Sequence, residues 1–380
     1  MVRFLHTADW QLGMTRHYLR GEAQGRFAQD RLDVIVRMAD LARDRECAFV
    51  VVAGDVFDTT HPDRRTVDRA LDALRAFTVP VLLVAGNHDA LVPGAVLRAP
   101  TFTQRLPDTV EIVADDVPRH PADGVEVVGA PWRSKRPIGD PVTPVCAAVT
   151  PTAARRIVVG HGGVDDLSGD FDDPAIIRLA DLEAAVDASG IDYVALGDRH
   201  STTDVGRTGR IWYAGAPEPT SEREVDAGNA LVVDLADSRD TPPTVDVVPV
   251  GRWRFVEQLW DLAGAADLTR HFAALDARDA KARTVVKIAV TGVVTLEQAS
   301  ALDDGLDARA DAFGALQRPE RHRDLTIVVD EDELRGHPLP AYVATARDRL
   351  VATAQGTGPD AEAARDALGL LLRYAREARR

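Results

Sequence analysis

Five short apolar runs in this 380-residue chain each end in a turn that carries acids, amides or imidazoles. Residues 2–6 lead into Asp9, Trp10 and Gln11, and residues 50–53 lead into Gly54, Asp55, Val56, Phe57 and Asp58. Residues 79–84 run into Gly86, Asn87, His88 and Asp89; residues 156–160 into His161 and Gly162; residues 193–196 into Gly197, Asp198, Arg199 and His200. Runs of this kind read as buried parallel strands. Open α/β sheets bind their ligands beyond the carboxyl ends of such strands. A carboxylate carried there reaches into a crevice while its backbone stays pinned by the sheet, which suits a metal ligand. Oxygen and imidazole donors together suit manganese, iron or zinc, and the lack of cysteine at these turns disfavours a thiolate site. Two ions about 3.5 to 4 Å apart, sharing one carboxylate, would activate water at neutral pH and clamp a phosphoryl group for in-line displacement. Asp55, on the strand expected at the centre of the sheet, is the natural bridge.

The intervening segments supply the elements that would hold these turns. Phe27, Leu32, Ile35, Val36, Met38, Ala39 and Leu41 recur with a 3.6-residue period, which predicts a helix over 25–45 packed on a sheet. Pro62 suits the first turn of a second helix, over 62–77. Three strand, loop and helix units in succession predict a parallel sheet with right-handed crossovers. Further strands are expected at 110–113 and 125–128, and a helix over 174–188. Residues 211–214, 230–234 and 245–250 are expected to form a second, more antiparallel sheet, completing a four-layer α/β/β/α sandwich over residues 1–250. Residues 251–355 carry strand patterns at 254–262, 284–290 and 325–329 around a helical segment near 268–280, and predict a smaller α+β domain. After a linker at 356–359, a helical tail over 360–380 places Leu368, Leu371, Leu372 and Tyr374 on one side. His6 lies inside its strand and is expected to be structural.

With these residues in view, the chain resembles the calcineurin-like metallophosphoesterases. Asp9-Trp10-Gln11, Gly54-Asp55-Val56-Phe57-Asp58, Gly86-Asn87-His88-Asp89, Gly160-His161-Gly162 and Gly197-Asp198-Arg199-His200 follow that superfamily's five motifs in order and spacing. The Pro131-Trp132 loop, the turn from Tyr213 to Pro217 and the run Arg252-Trp253-Arg254-Phe255 are similar to SbcD-type DNA repair exonucleases. The resemblance implies that Asp9, Asp55 and His200 hold one divalent ion and Asp55, Asn87 and His161 the other, with manganese expected ahead of magnesium or iron. It implies that His88 is the catalytic histidine, protonating the leaving oxygen, and that Asp89 orients it. Two positions depart from the pattern: Gln11 and Asp198 stand where the family has metal-binding histidines, so a neutral amide oxygen and a carboxylate replace two imidazoles. The donor set becomes harder, favouring manganese or magnesium over nitrogen-preferring metals. The implied function is a metal-dependent DNA nuclease partnered by an SbcC-type coiled-coil ATPase, with residues 251–355 capping the site and orienting DNA, and with dimerisation. The alternatives are a small-molecule phosphodiesterase or phosphatase with the same metal core, and a catalytically weakened DNA-end scaffold.

Composition bounds these readings. A formal charge of -15 argues against a protein that coats nucleic acid indiscriminately, which needs a basic surface to release phosphate counterions. It leaves room for a nuclease whose metal ions and local basic groups hold phosphates. Arg133, Lys135 and Arg136, in a proline-bounded loop, are the candidates for contacting a nucleic-acid backbone. Cys47 and Cys146 are the only cysteines, each beside apolar residues, which fits a reducing cytoplasm without disulfides. No run approaches the roughly eighteen apolar residues of a membrane span, so none is expected.

Overall fold

A computed structural model describes residues 1–167, 173–318, 323–328 and 341–377. Val329, expected to end a strand, and residues 378–380 of the expected tail lie outside them. The chain divides into two compact units, one of Met1–His17 with Gln24–Trp253, the other of Tyr18–Ala23 with Arg254–Arg380.

The first unit begins with β1 (Val2–Thr7), α1 (Glu22–Asp44), β2 (Phe49–Ala53), α2 (Arg64–Leu74), β3 (Val81–Val84), a short α3 (Pro100–Thr103) and β4 (Val110–Val113). It continues through β5 (Val125–Ala130), α4 (Val142–Ala148), β6 (Arg155–His161), α5 (Leu179–Ser189), β7 (Tyr193–Gly197), β8 (Thr203–Val205), β9 (Ile211–Tyr213), β10 (Asn229–Leu235) and β11 (Thr244–Pro249). One sheet runs in the order β11, β10, β1, β2, β3, β4 and the other β5, β6, β7, β9, β8. β1, β2, β3 and β4 pair parallel, as three successive strand–helix units require.

The second sheet differs from expectation. It is parallel from β5 through β9, and only β8 pairs antiparallel. β10 and β11, expected in that sheet, return to the first one, with β10 antiparallel to β1. The reason lies in their apolar faces: Leu231, Val233 and Leu235 complete the core between the sheets beside Phe4, while Ala230 and Val232 join the core under the helices.

The layering follows from strand periodicity. β2 is buried on both faces: Val50 and Val52 pack against Ile35, Met38 and Leu71 from α1 and α2, whereas Phe49, Val51 and Ala53 face Val127, Ile157 and Ala195 of the other sheet. A third core places Val158, Val194 and Leu196 against Leu182 and Val186 of α5 and Cys146 of α4. Helices, sheet, sheet and helices thus form four layers. Each buried Val or Leu in them contributes roughly 1.5–3 kcal/mol by leaving water.

The second unit holds β12 (Arg254–Leu262), α6 (Ala265–Asp276), β13 (Thr284–Thr295), α7 (Leu296–Ala310), β14 (Ala315–Gln317), β15 (Arg323–Val328), α8 (Ala341–Ala354) and α9 (Pro359–Glu377). β12 pairs parallel with β13 along its length, and β14 and β15 pair in turn with β13. The helix α7 was not expected from the sequence, because its acids and Gly305 obscure its period. Its capping box, Thr295 with Gln298, marks its start, and Leu302 anchors it in a core with Trp260, Leu275 and Ile288. Leu368 of the tail is buried with Leu296, Ala354 and Ala364. Among the described residues no helix is long and apolar enough to cross a membrane.

His6 is fully buried in β1, with Nδ1 3.0 Å from the Tyr193 hydroxyl. Burial pulls its pKa down to about 3, so the ring is neutral in the fold. In the unfolded chain it titrates near its usual value of about 6.5. Between those values only the unfolded state takes up the proton, so stability is lost as pH falls through 6.5 towards 3. From pH 7 to pH 5 this one group should remove about 2 kcal/mol. His6→Phe should shrink by that amount the difference between urea-unfolding free energies measured at the two pH values; an unchanged difference would refute the assignment.

Candidate metal centre

The site is built where parallel pairing continues past the ends of β1 and β2. The N–H groups of Asp9, Gln11 and Leu12 donate to the carbonyls of Gly54, Asp55 and Val56 at 3.0, 2.9 and 2.9 Å. To keep that pairing while turning their side chains into the crevice, Asp9, Gln11 and Asp55 take φ of 55°, 51° and 53°. Asp198, at the end of β7, takes 98°. Among the described residues only Glu46 and Ala280 are other non-glycine residues of positive φ. Left-handed backbone costs such residues roughly 1–2 kcal/mol each, and its concentration here marks a functional site.

Glycines make the room. A Cβ on Gly54 would lie 2.3 Å from His161 Nδ1, one on Gly86 2.2 Å from Asp55 Oδ1, and one on Gly197 2.0 Å from the Ala53 carbonyl oxygen. The side chains consequently converge. Ligand atoms of Asp9, Asp55 and His161, all buried, lie within 4.8 Å of one another. Asp55 Oδ1 accepts from the His88 N–H at 3.0 Å and Oδ2 from Gln11 Nε2 at 2.8 Å. The Asp198 N–H donates to both Asp9 carboxylate oxygens, at 3.1 and 3.2 Å. His161 Nε2 stands 3.2 Å from Asn87 Oδ1, 3.5 Å from Asp55 Oδ1 and 3.6 Å from Asp198 Oδ1. His200 Nε2 is 3.9 Å from Asp9 Oδ1. Gln11, Asn87 and Asp198 thus join the two acids and one imidazole of the buried core, with His200 at its Asp9 side.

What orients the imidazoles was invisible in the sequence. His161 Nδ1 donates to the Ala53 carbonyl at 2.9 Å, which turns Nε2 to the acids, and the Trp132 indole N–H donates to the His161 carbonyl at 2.6 Å. His200 Nδ1 donates to Glu224 Oε1 at 2.9 Å, with Thr220 Oγ1 at 3.1 Å. Glu224 lies 24 residues beyond His200 on a loop, and no spacing pointed to it.

This donor set fits divalent cations. Three carboxylates, two amides and two imidazoles are oxygen-rich and anionic, and Gln11 Oε1 is buried with no hydrogen-bond partner. The electrostatics agree. Burial pushes the Asp9 carboxyl up to about 6, with Asp55 and Asp198 adding to it. Burial pulls on His161 in the opposite sense, yet Asp55, Asp9 and Asp198 outweigh it and hold the imidazole up at about 9. The cluster calls for positive charge.

Beside it opens a cleft of roughly 530 Å³ lined by Asp58, Asn87, His88, Trp132, Lys135 and Arg136, among others. Arg133 does not line it; its guanidinium donates to the Ala114 carbonyl at 3.4 Å. His88 is exposed, and its Nδ1 lies 2.9 Å from the Asp58 carbonyl. The expectation that Asp89 orients His88 gives way to this contact. The Asp89 carboxylate is fully buried and accepts from the N–H groups of Gly86 at 2.7 Å and Phe57 at 3.2 Å, so it ties two site loops together instead. Burial, then Asp55, push its carboxyl up to about 7.

Comparison with known proteins gives four findings. The family model described as calcineurin-like phosphoesterase matches residues 2–202. The chain is similar to the SbcD component of the SbcCD nuclease of Bacillus subtilis, 25% identical over 240 residues, 61% of this chain and 52% of that one. It is also similar to the DNA double-strand break repair protein Mre11 of Saccharolobus solfataricus, 26% identical over 254 residues, 64% of this chain and 62% of that one. The match therefore spans about half the length of the first relative and under two thirds of the second. Among solved structures, TT1561 of Thermus thermophilus matches at 12% identity over 66% of this chain and 99% of that one, with a TM-score of 0.40.

If the glycine cradle exists to make room for cation-binding carboxylates, Gly86→Ala should displace Asp55. Manganese at a hundredfold its dissociation constant should stabilise the wild type by about 2.7 kcal/mol. The same concentration should leave Gly86→Ala with less than half that gain, read as the shift in thermal midpoint with and without metal. An equal shift in both proteins would show that the cradle has no part in metal binding.

Proposed function

The chain belongs to the calcineurin-like phosphoesterase family, and from that premise we propose that it is a two-metal-dependent DNA nuclease of SbcD type. The observation that carries this reading is the placement of Asp55, whose two carboxylate oxygens face donors on both sides: Gln11 at one, His161 at the other. On the proposed assignment Asp9, Gln11, Asp55 and His200 hold one ion and Asp55, Asn87, His161 and Asp198 the second, manganese being preferred. When bound, the two ions supply Lewis acidity towards the phosphoryl group and lower the pKa of water.

The chain's own residues do the rest. With Nδ1 engaged by the Asp58 carbonyl, His88 keeps Nε2 to deliver a proton to the leaving oxygen at the cleft. Lys135 and Arg136 line the same cleft and supply two cations for the phosphates flanking the scissile bond. Asp89 keeps the loops of Asp55 and His88 in register through Phe57 and Gly86. The names of the two relatives support DNA as the substrate. A coiled-coil ATPase of SbcC type as partner, dimerisation, and a DNA-orienting role for residues 251–355 belong to the same proposal.

Purified protein should cleave linear duplex DNA in the presence of manganese, and His88→Asn should lower that rate about 10²- to 10⁴-fold. Turnover confined to cyclic nucleotides or an aryl phosphate would replace the nuclease with a small-molecule phosphodiesterase; turnover of nothing would leave a DNA-end scaffold. In the same assay Asp198→His, which restores a nitrogen donor, should move the metal preference from manganese towards zinc. An unchanged order of metals would count against Asp198 as a ligand.

A further inference from the structure

The two proposed donor sets match in kind, since each combines two carboxylates, one amide and one imidazole, with Asp55 shared. They differ in what grips the imidazole from behind. His161 Nδ1 donates to a neutral backbone carbonyl, that of Ala53, at 2.9 Å. His200 Nδ1 donates to a carboxylate, Glu224 Oε1, also at 2.9 Å. A hydrogen bond to an ionised acceptor is about twice as strong as one between neutral groups. It also raises the electron density at the far ring nitrogen, the one that meets a metal.

Glu224 is built to hold that position. Its side chain is 8% exposed, so solvent screens its charge little. Its Oε2 accepts from the Thr220 N–H at 2.8 Å, and the Thr220 hydroxyl donates to its Oε1. The loop that carries both residues is tied to the Asp9 turn by the buried Arg31, whose guanidinium donates to the Trp10 carbonyl at 3.0 Å and to the carbonyls of Glu218 and Pro219 at 3.3 and 3.2 Å. Glu218 anchors the loop from the other side by accepting from the N–H groups of Arg252 and Trp253. Glu224, His200 and Asp9 thereby follow one another, Glu224 Oε1 2.9 Å from His200 Nδ1 and His200 Nε2 3.9 Å from Asp9 Oδ1.

We propose that Glu224 is a positioning residue that acts through His200, and that it makes the site of Asp9, Gln11, Asp55 and His200 the tighter of the two cation sites. The inference rests on the two-metal reading above. It assigns an order of filling: the first ion enters beside Asp9 and the second beside Asn87. Sequence spacing carried no sign of this, because Glu224 belongs to none of the five strand-end turns.

Calorimetric titration of the metal-stripped full chain with manganese chloride tests it. Wild type should show two binding steps of unequal affinity. Glu224→Gln, which keeps the shape and removes the charge, should weaken the tighter step by about 10-fold or more and leave the weaker step nearly unchanged. Glu224→Asp, which keeps a carboxylate, should retain more of the affinity than Glu224→Gln. Asn87→Ala should weaken only the second step. In a His200→Ala background Glu224→Gln should have no further effect, a coupling that a merely structural role would not produce. Equal steps in wild type, a loss confined to the weaker step, or an undiminished effect without His200 would each overturn the inference while leaving the two-metal reading intact. Failure of wild type to bind manganese at all would instead remove that reading, and this inference with it.

Discussion

Everything about the site depends on holding Asp9 and Asp55 close together in a place with almost no water. Both are essentially fully buried, and their ligand atoms share a space less than 4.8 Å across with His161. Desolvating carboxylates costs several kcal/mol per group even after relaxation, and mutual repulsion adds to it. The fold offsets part of this with backbone N–H groups: that of Asp198 points at Asp9 and that of His88 at Asp55. The remainder is left for imidazoles and cations, which is why an anionic cluster of this kind reads as a binding site and not as an ordinary core feature.

Such a cluster survives because its scaffold is over-determined. β1 and β2 lie at the middle of a sheet buried on both faces, and the pairing between them runs on through Leu12 and Phe57 beyond their formal ends. That rail forces Asp9, Gln11 and Asp55 into left-handed backbone, and the apolar layers on either side absorb the strain. Gly54, Gly86 and Gly197 are the complementary concession, positions where any side chain would occupy the space of a ligand or its support. A second ring of contacts then fixes direction: Ala53 and Trp132 behind His161, Thr220 and Glu224 behind His200, Asp58 behind His88. None of these contacts touches the space between the acids, yet those to Nδ1 of His161 and His200 leave Nε2 of each ring turned towards it.

Much of the fold was legible because strands buried on both faces announce themselves as apolar runs. The first sheet's parallel core and most strand positions followed from that signal. The placement of β10 and β11 did not, since an apolar strand advertises burial without saying which sheet buries it; only the packing of Leu231 and Val233 against Phe4 decides. The helix α7 was missed because Asp303, Asp304 and Gly305 interrupt its apolar face, and its anchoring by Leu302 is a tertiary fact. The turn residues themselves were legible for a different reason. Polar residues placed directly after apolar strands sit at carboxyl ends by construction, whatever the helices between them do.

By itself, then, the sequence determined the chemical inventory: acids, amides and imidazoles at five strand ends, with oxygen donors in the majority. Tertiary structure decided their relations. It put Lys135 and Arg136 on the cleft and left Arg133 outside it, and it turned Asp89 to the backbone of Gly86 and Phe57 instead of to His88. It also recruited Glu224 from a loop with no periodic or motif signal. The physical reason is the range of the information. Strand-end chemistry is written locally, in the alternation and composition of a few neighbouring residues. Hydrogen-bond direction is set by groups far apart in the chain, 108 residues in the case of His161 and Ala53, whose meeting depends on the packing of whole layers.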